Sequence, residues 1–424
     1  MQQPEQTPTD PAQSDSLRAL VRGVPFDLYL LARTAMVLGN SIQTTALNWQ
    51  VYSPISLAFI GIARFVPSIS ISLFAGLVAD AMDRRKILAA AQLAPALTSA
   101  VLFWLTNNDS LTMTPVYVLM VIQGVASAFE TSARLSLLPQ VVPRVQFARA
   151  VAMTNSMQSL VSVVGASVAG VIIDKSGVAP AYAAHLVIIS ISVIGLLSLR
   201  LQYGSVPAGS LSLAAVKEGL DFLKNRPVVL SAMVLDMLAV TFGGANALLP
   251  VYAKDILKVG ASGFGLMRAA RTVGSGLASA AMIFMPPVVN AGRVLIIVIV
   301  LYGLSTIAFG LAMFFPLSLL FFALTGLTDQ VSVVVRQGIV QLGTPDALRG
   351  RVSSVNQVFT GASDQLGAVR AGVVADWTDA IFSVVSGGVG TLISLGIVVK
   401  LVPSLWTYKV GNAEEPADKP RQDR

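Results

Sequence analysis

Apolar runs of about 20 residues or more recur along almost the whole chain, separated by short connections rich in Pro, Gly and charge. A run of that length crosses roughly 30 Å of hydrocarbon as a helix. The runs fall at 27–51, 57–79, 86–106, 115–138, 148–173, 180–201, 228–252, 263–285, 291–314, 316–342, 352–374 and 378–402. The pattern predicts an all-α membrane protein of twelve transmembrane helices. Gly, Pro, Ser and Thr inside several runs fit a bundle in which neighbouring helices supply packing and hydrogen bonds.

The longest connection, 202–227, is polar at first and then amphipathic in "LSLAAVKEGLDFLKNRP". It divides the chain into a tail (1–26), a first half (27–201), a linker with a surface helix (202–227), a second half (228–402) and a C-terminal tail (403–424). An offset of 202 places Gly124 on Gly326, Arg134 on Arg336, Pro143 on Pro345 and Arg149 on Arg351. The same offset aligns "GASVAGVIID" with "GAVRAGVVAD", pairing Gly165 with Gly367, Gly170 with Gly372 and Asp174 with Asp376. With a short indel, "GIAR" (61–64) matches "GLMR" (265–268). Two pseudo-symmetric six-helix halves arising by duplication are expected, with the small residues of helices 5 and 11 packing closely.

Composition agrees with this reading. Of 424 residues, 54% are hydrophobic and 12% charged, against about 25% charged in soluble domains. There is no Cys and a single His, His185, so neither a thiolate site nor a His-rich metal site can be built, and no cofactor is expected. No GxxxxGK[ST] phosphate loop and no GxSxG elbow in a strand context is present, which argues against ATP-driven pumping and against an enzyme. The net charge of +7 does not imply nucleic acid, because of where the charge falls. Arg84, Arg85, Lys86, Arg144, Arg149, Lys217, Lys224, Arg226, Arg293, Arg349 and Arg351 lie in even-numbered connections, whereas odd-numbered ones hold Lys175, Lys254 and Lys258. By the positive-inside rule both termini are cytoplasmic. The N-terminal "MQQPEQTPTDPAQSDS" has no apolar h-region, so a disordered tail is expected, with the first helix as insertion signal.

The densest charge cluster is "GLVADAMDRRK", between helices 2 and 3. It resembles the GxLADRxGRR signature of the major facilitator superfamily in Gly76, Asp80, Arg84 and Arg85, with Ala81 in place of an Arg and Asp83 in place of a Gly. Together with "FETSARLSLLPQ" and "LRGRVSSVNQ", it is similar to a bacterial exporter branch that includes enterobactin-exporter-like and macrolide-efflux-like secretion effectors. In helix 4 the RxxQG pattern keeps Gln123 and Gly124 but has Met120 at its Arg position. In helix 5 the antiporter pattern keeps Gly165 and Gly170 but has Ala166 where Pro is usual. The resemblance implies a latch on the cytoplasmic side, in which Asp80 sits at the N-terminus of a helix of the other half and Gly76, Arg84, Arg85, Glu130 and Arg134 support it. The alternative is that Arg84, Arg85 and Lys86 only anchor a helix end to anionic lipid.

Charges inside spans are costly and normally face the bundle interior. Asp329 and Asp364 fall near mid-span and Asp236 nearer the cytoplasm, which makes all three candidates for proton coupling. The structural alternatives are ion pairs of Asp329 with Arg336, of Asp364 with Arg370 or Arg268, and of Glu130 with Arg134. In helix 1, Asn40, Gln43, Thr44 and Leu47 share one face at midplane depth. Asn155, Gln158, Asn356 and Gln357 join them as candidates for lining a substrate cavity or for interhelical hydrogen bonding. The reading is a secondary transporter in the bacterial inner membrane, monomeric, exporting a small amphipathic molecule against inward proton flow by alternating access. A lipid-like substrate such as a lysophospholipid, and a non-transporting sensor or scaffold, are the alternatives.

Overall fold

In the computed structural model the described residues are 24–143, 146–199, 213–286, 288–345 and 348–409, except for a few side chains within the helices. The Asp80 side chain, the N-terminal tail and most of the linker and C-terminal tail lie outside them. The first half consists of α1 (Val24–Gln50), α2 (Pro54–Ala81), α3 (Arg84–Ala91 and Leu93–Asn107, stepped at Gln92), α4 (Met113–Val141), α5 (Phe147–Ser176) and α6 (Val178–Leu197). After the linker helix (Leu213–Lys224), the second half has α7 (Pro227–Phe242), α8 (Gly260–Phe284), α9 (Ala291–Leu311), α10 (Phe315–Leu342), α11 (Arg349–Trp377) and α12 (Ala380–Leu401).

Among the described residues, nine of these segments are long and apolar enough to cross a membrane. The other three, α1, α8 and α11, are as long, at 27, 25 and 29 residues. They carry Arg33, Asn40 and Gln43, Arg268 and Arg271, and Asp364, Gln365 and Arg370 respectively. Helices with so many polar residues are stable in hydrocarbon only when those residues are turned inward.

Packing repeats in the two halves. In the first, α1 lies on α5 and α6, and α2 on α4. In the second, α7 lies on α11 and α12, and α8 on α10. The halves meet through α5 with α8 and through α2 with α11. Large apolar side chains such as Leu160, Ile194, Leu277 and Ile393 remain exposed, as surfaces that meet lipid require.

The expected continuous helix over 228–252 is broken. α7 stops at Phe242, and Gly243-Gly244 leads into a 3₁₀ turn at Ala245–Leu248 and a π turn at Tyr252–Ile256. A Cβ on Gly244 would lie 2.6 Å from the Gly367 carbonyl oxygen, so only glycine lets α7 come this close to α11.

In the connection between α2 and α3, Asp83 caps α3 by accepting the Arg85 N–H at 3.0 Å and pairs with the Arg85 guanidinium at 2.7 Å. The bond from Arg85 holds the Asp83 carboxyl below the usual carboxylate range. This stabilisation is present above that range and is lost as the pH falls through the lowered value. Arg85 also donates to the Leu199 carbonyl beyond α6. Asp83 and Arg85 therefore secure the loop to their own half.

Candidate functional site: a cavity between the halves

Two adjoining lobes lie where the halves face each other. One, of about 400 Å³, is lined from the first half by Gln43, Thr44, Leu47, Arg64 and Gln123, and from the second by Asn246, Gln365 and Ala368. The other, of about 360 Å³, is lined by Ser41, Ser162, Ala166, Phe264, Arg268 and Arg271. Asn48 and Asn246 line both. Volumes of this order suit a small organic ligand. Asn246 reaches the cavity because α7 breaks before it. The Gly-Gly pair at 243–244 was the sequence signal for that element, and the continuous-helix reading passed over it.

The predicted stripe on α1 divides by depth. Thr44 and Leu47 line the larger lobe, and Asn40 a small recess next to it. Gln43 also touches both, but it is 4% exposed. Its amide nitrogen donates to the Pro95 carbonyl and to Ser99 of α3, and its oxygen accepts from Gln123. It forms the rear wall and holds α1, α3 and α4 together.

The mid-span charges pair across helices, in different combinations from those expected. Asp329 of α10 binds Arg271 of α8 at 2.8 Å, not Arg336. Arg336 binds Asp236 of α7 at 3.0 Å, with the two side chains 3% and 6% exposed, and also donates to Asn356 of α11 at 2.6 Å. Glu130 of α4 pairs with Arg33 of α1 at 3.5 Å, not with Arg134 one turn on, and Arg33 also donates to Gln158 of α5 at 2.7 Å. Arg370 donates to the Ser383 carbonyl of α12 and leaves Asp364 alone. Asp364 is exposed in the middle of α11 and has no hydrogen bond or ion pair with a described residue. Arg271 and Asp329 are the charges that act on it. Asn155 and Gln357 are exposed and line neither lobe. Of the proposed latch, Gly76 and Arg84 are buried, and the latch itself lies outside the described residues with Asp80.

Toward the face opposite the basic loops, the far face, the two halves are closely joined. The Asp174 carboxylate at the end of α5 accepts the N–H groups of Ala261 and Ser262 in the first turn of α8, each at 2.8 Å. These are donors that a helix start leaves unpaired, and the positive end of the helix dipole favours the carboxylate. Lys254 sits 3.5 Å from the centre of the Tyr52 ring, and Trp49 stacks on Phe264 at 5.9 Å; both contacts cross between the halves. The repeat counterpart of Asp174, Asp376, makes no such bond to a described residue. Because Asp174 is exposed, its two bonds are worth about 1 kcal/mol together. Asp174→Ala is expected to lower the far-face-closed population about five-fold. Double electron–electron resonance between cysteines introduced at Lys175 and Lys258 measures that population.

The repeat glycines do not pack helix 5 on helix 11. A Cβ on Gly165 would meet the Leu38 carbonyl and Ser41 of α1, and one on Gly367 the Val240 carbonyl of α7. A Cβ on Gly170 would lie 2.5 Å from the Ala261 carbonyl oxygen of α8, and one on Gly372 2.6 Å from that of Pro54 in α2. In each half the first glycine fits against the half's own first helix, and the second against the other half's second helix.

The chain belongs to the transmembrane secretion effector family of the major facilitator superfamily, whose profile matches residues 18–418. It is 25% identical to the staphyloferrin A transporter of Staphylococcus aureus, covering 80% of this chain and 87% of that one. It is 24% identical to the multidrug efflux pump Tap of Mycolicibacterium fortuitum, covering 90% and 96%. The enterobactin exporter EntS of Escherichia coli is 25% identical, covering 84% and 83%. Among solved structures, the nucleoside transporter NupG superposes with a TM-score of 0.65 at 15% identity, covering 91% of this chain and all of that one. The inward-open xylose transporter XylE of E. coli superposes with a TM-score of 0.66 at 11% identity, covering 89% and 96%. The fold is that of major facilitator transporters, and the chain is a multi-pass membrane transporter that exports small organic molecules.

Proposed function

We propose that this exporter is a proton antiporter of the bacterial inner membrane. It works as a monomer with both termini in the cytoplasm and moves an amphipathic substrate through the cavity between its halves. The observation that carries the coupling is Asp364, an exposed, unpaired carboxylate in the middle of a membrane helix, beside the Arg271–Asp329 pair. A bare carboxylate at that depth has to be hydrated, paired or protonated. When ionised, Asp364 competes with Asp329 for Arg271; when protonated, it leaves that pair intact. Alternation between these states as the cavity changes sides couples proton entry to substrate exit, and Asp236 with Arg336 is the next charged pair toward the basic face.

The test reconstitutes the full chain in proteoliposomes and follows efflux of ethidium and carboxyfluorescein with and without an imposed pH gradient. Asp364→Asn is expected to abolish gradient-driven accumulation while preserving downhill exchange. Gradient dependence like that of the wild type in both Asp364→Asn and Asp329→Asn would remove these acids from the mechanism and pass the role to Glu130 and Asp236.

A further inference from the structure

The cavity contains two guanidinium groups that have no ion pair with a described residue. Arg64 of α2 is the charged residue lining the larger lobe, and it has no hydrogen bond or ion pair with a described residue. Arg268 of α8 lines the second lobe, where its neighbour Arg271 is already held by Asp329. The Nη1 of Arg268 is buried without a partner, and its guanidinium makes one contact of note, 5.9 Å from the centre of the Phe264 ring. No carboxylate lines either lobe. Glu130 lines the adjoining recess together with Arg64 and is the acid nearest in effect to it, but its ion pair is with Arg33.

These two arginines are equivalents in the internal repeat, the last residues of "GIAR" and "GLMR". The glycines that open those motifs seat them alike. A Cβ on Gly61 would meet Gln365 of α11, and one on Gly265 the Ala166 carbonyl of α5. Each arginine thus projects from the second helix of its half, at the level where that helix crosses to the other half. An unpaired guanidinium at this depth is costly, and its planar fork matches carboxylate or similar acidic oxygens.

Building on the export reading, we propose that the substrate is an organic anion carrying at least two acidic groups, one taken by Arg64 and the other by Arg268. The bound anion supplies the direct partner that both guanidiniums lack and bridges the halves across the pseudo-twofold axis. The amides of Asn48, Gln123 and Asn246 face its polar edge, and Leu47, Met120 and Phe264 face its apolar body.

The experiment compares efflux of carboxyfluorescein, a multivalent anion, with that of ethidium, a cation, from phosphatidylcholine proteoliposomes containing the full chain. The wild type is expected to move carboxyfluorescein. Arg64→Gln and Arg268→Gln are each expected to slow it at least ten-fold, and Arg64→Lys and Arg268→Lys to retain part of the rate by keeping the charge. Size-exclusion profiles and wild-type-like far-face distances establish that the variants are folded. Movement of ethidium alone, or undiminished carboxyfluorescein efflux in both Gln variants, overturns the anion assignment and leaves export standing. Movement of neither dye overturns the assignment and counts against the export reading as well. Repeating the assay with phosphatidylglycerol in the bilayer separates a soluble anion, whose efflux is unchanged, from a lipid headgroup, which would compete and overturn the assignment to a soluble molecule.

Discussion

Arg336→Gln is expected to destabilise the folded protein by about 3–5 kcal/mol, because it leaves the Asp236 carboxylate buried without its partner. Both side chains are almost fully enclosed, at 3% and 6% exposure, so water cannot replace the lost charge. Adding Asp236→Asn removes the stranded charge, and the double variant is expected to recover most of the loss. The remainder reflects the bond from Arg336 to Asn356 at 2.6 Å. Equilibrium unfolding in mixed micelles, arranged as a double-mutant cycle, isolates the pairwise term. Losses that simply add would show that the two residues act independently. Asp329→Asn is expected to give no such rescue with Arg336→Gln, since Asp329 is bonded to Arg271.

Gly170→Leu is expected to stop the transport cycle by preventing closure of the far face. The substitution directs a branched side chain at the Ala261 carbonyl, which even a single methyl would approach to 2.5 Å. Backbone cannot give way as a flexible side chain can. Overpacking of this kind costs about 1–3 kcal/mol, which corresponds to a roughly 5- to 150-fold fall in the closed population. The comparison variant is Gly165→Leu, whose clash with α1 lies inside one half and should reduce folded yield instead of shifting the switch. The chain has no Cys, so spin labels at Lys175→Cys and Lys258→Cys report the far-face distance without background. A closed population equal to the wild type's in Gly170→Leu, with efflux intact, would refute the expectation.

Export by this fold was legible from residues close together in sequence. The signature around Asp80, Arg84 and Arg85, and the ungapped agreement of "GASVAGVIID" with "GAVRAGVVAD", need no knowledge of distant contacts. The charge pairs were harder to read, for a physical reason. Asp329 and Arg336 are seven residues apart on one helix face, and Glu130 and Arg134 are four apart, so helical periodicity suggests that they pair. In the bundle each acid has a guanidinium closer on a neighbouring helix, and a bond between helices also satisfies both charges where water is absent.

The sequence by itself determined the all-α membrane architecture, the internal repeat and several of the polar residues, such as Gln43, Thr44, Asp236 and Arg336, that lie in the interior. Those properties depend on run length, on repetition and on the cost of exposing charge to lipid, all of which are local. Tertiary structure decided the rest: the pairing of Asp236 with Arg336, the isolation of Asp364, the bonds from Asp174 that join the halves, and the break after Phe242 that brings Asn246 into the cavity. Each depends on how far one helix sits from another and how it is rotated. A near-uniform apolar surface leaves that rotation weakly specified, and it is set by close backbone approaches such as those at Gly165, Gly170, Gly244 and Gly367.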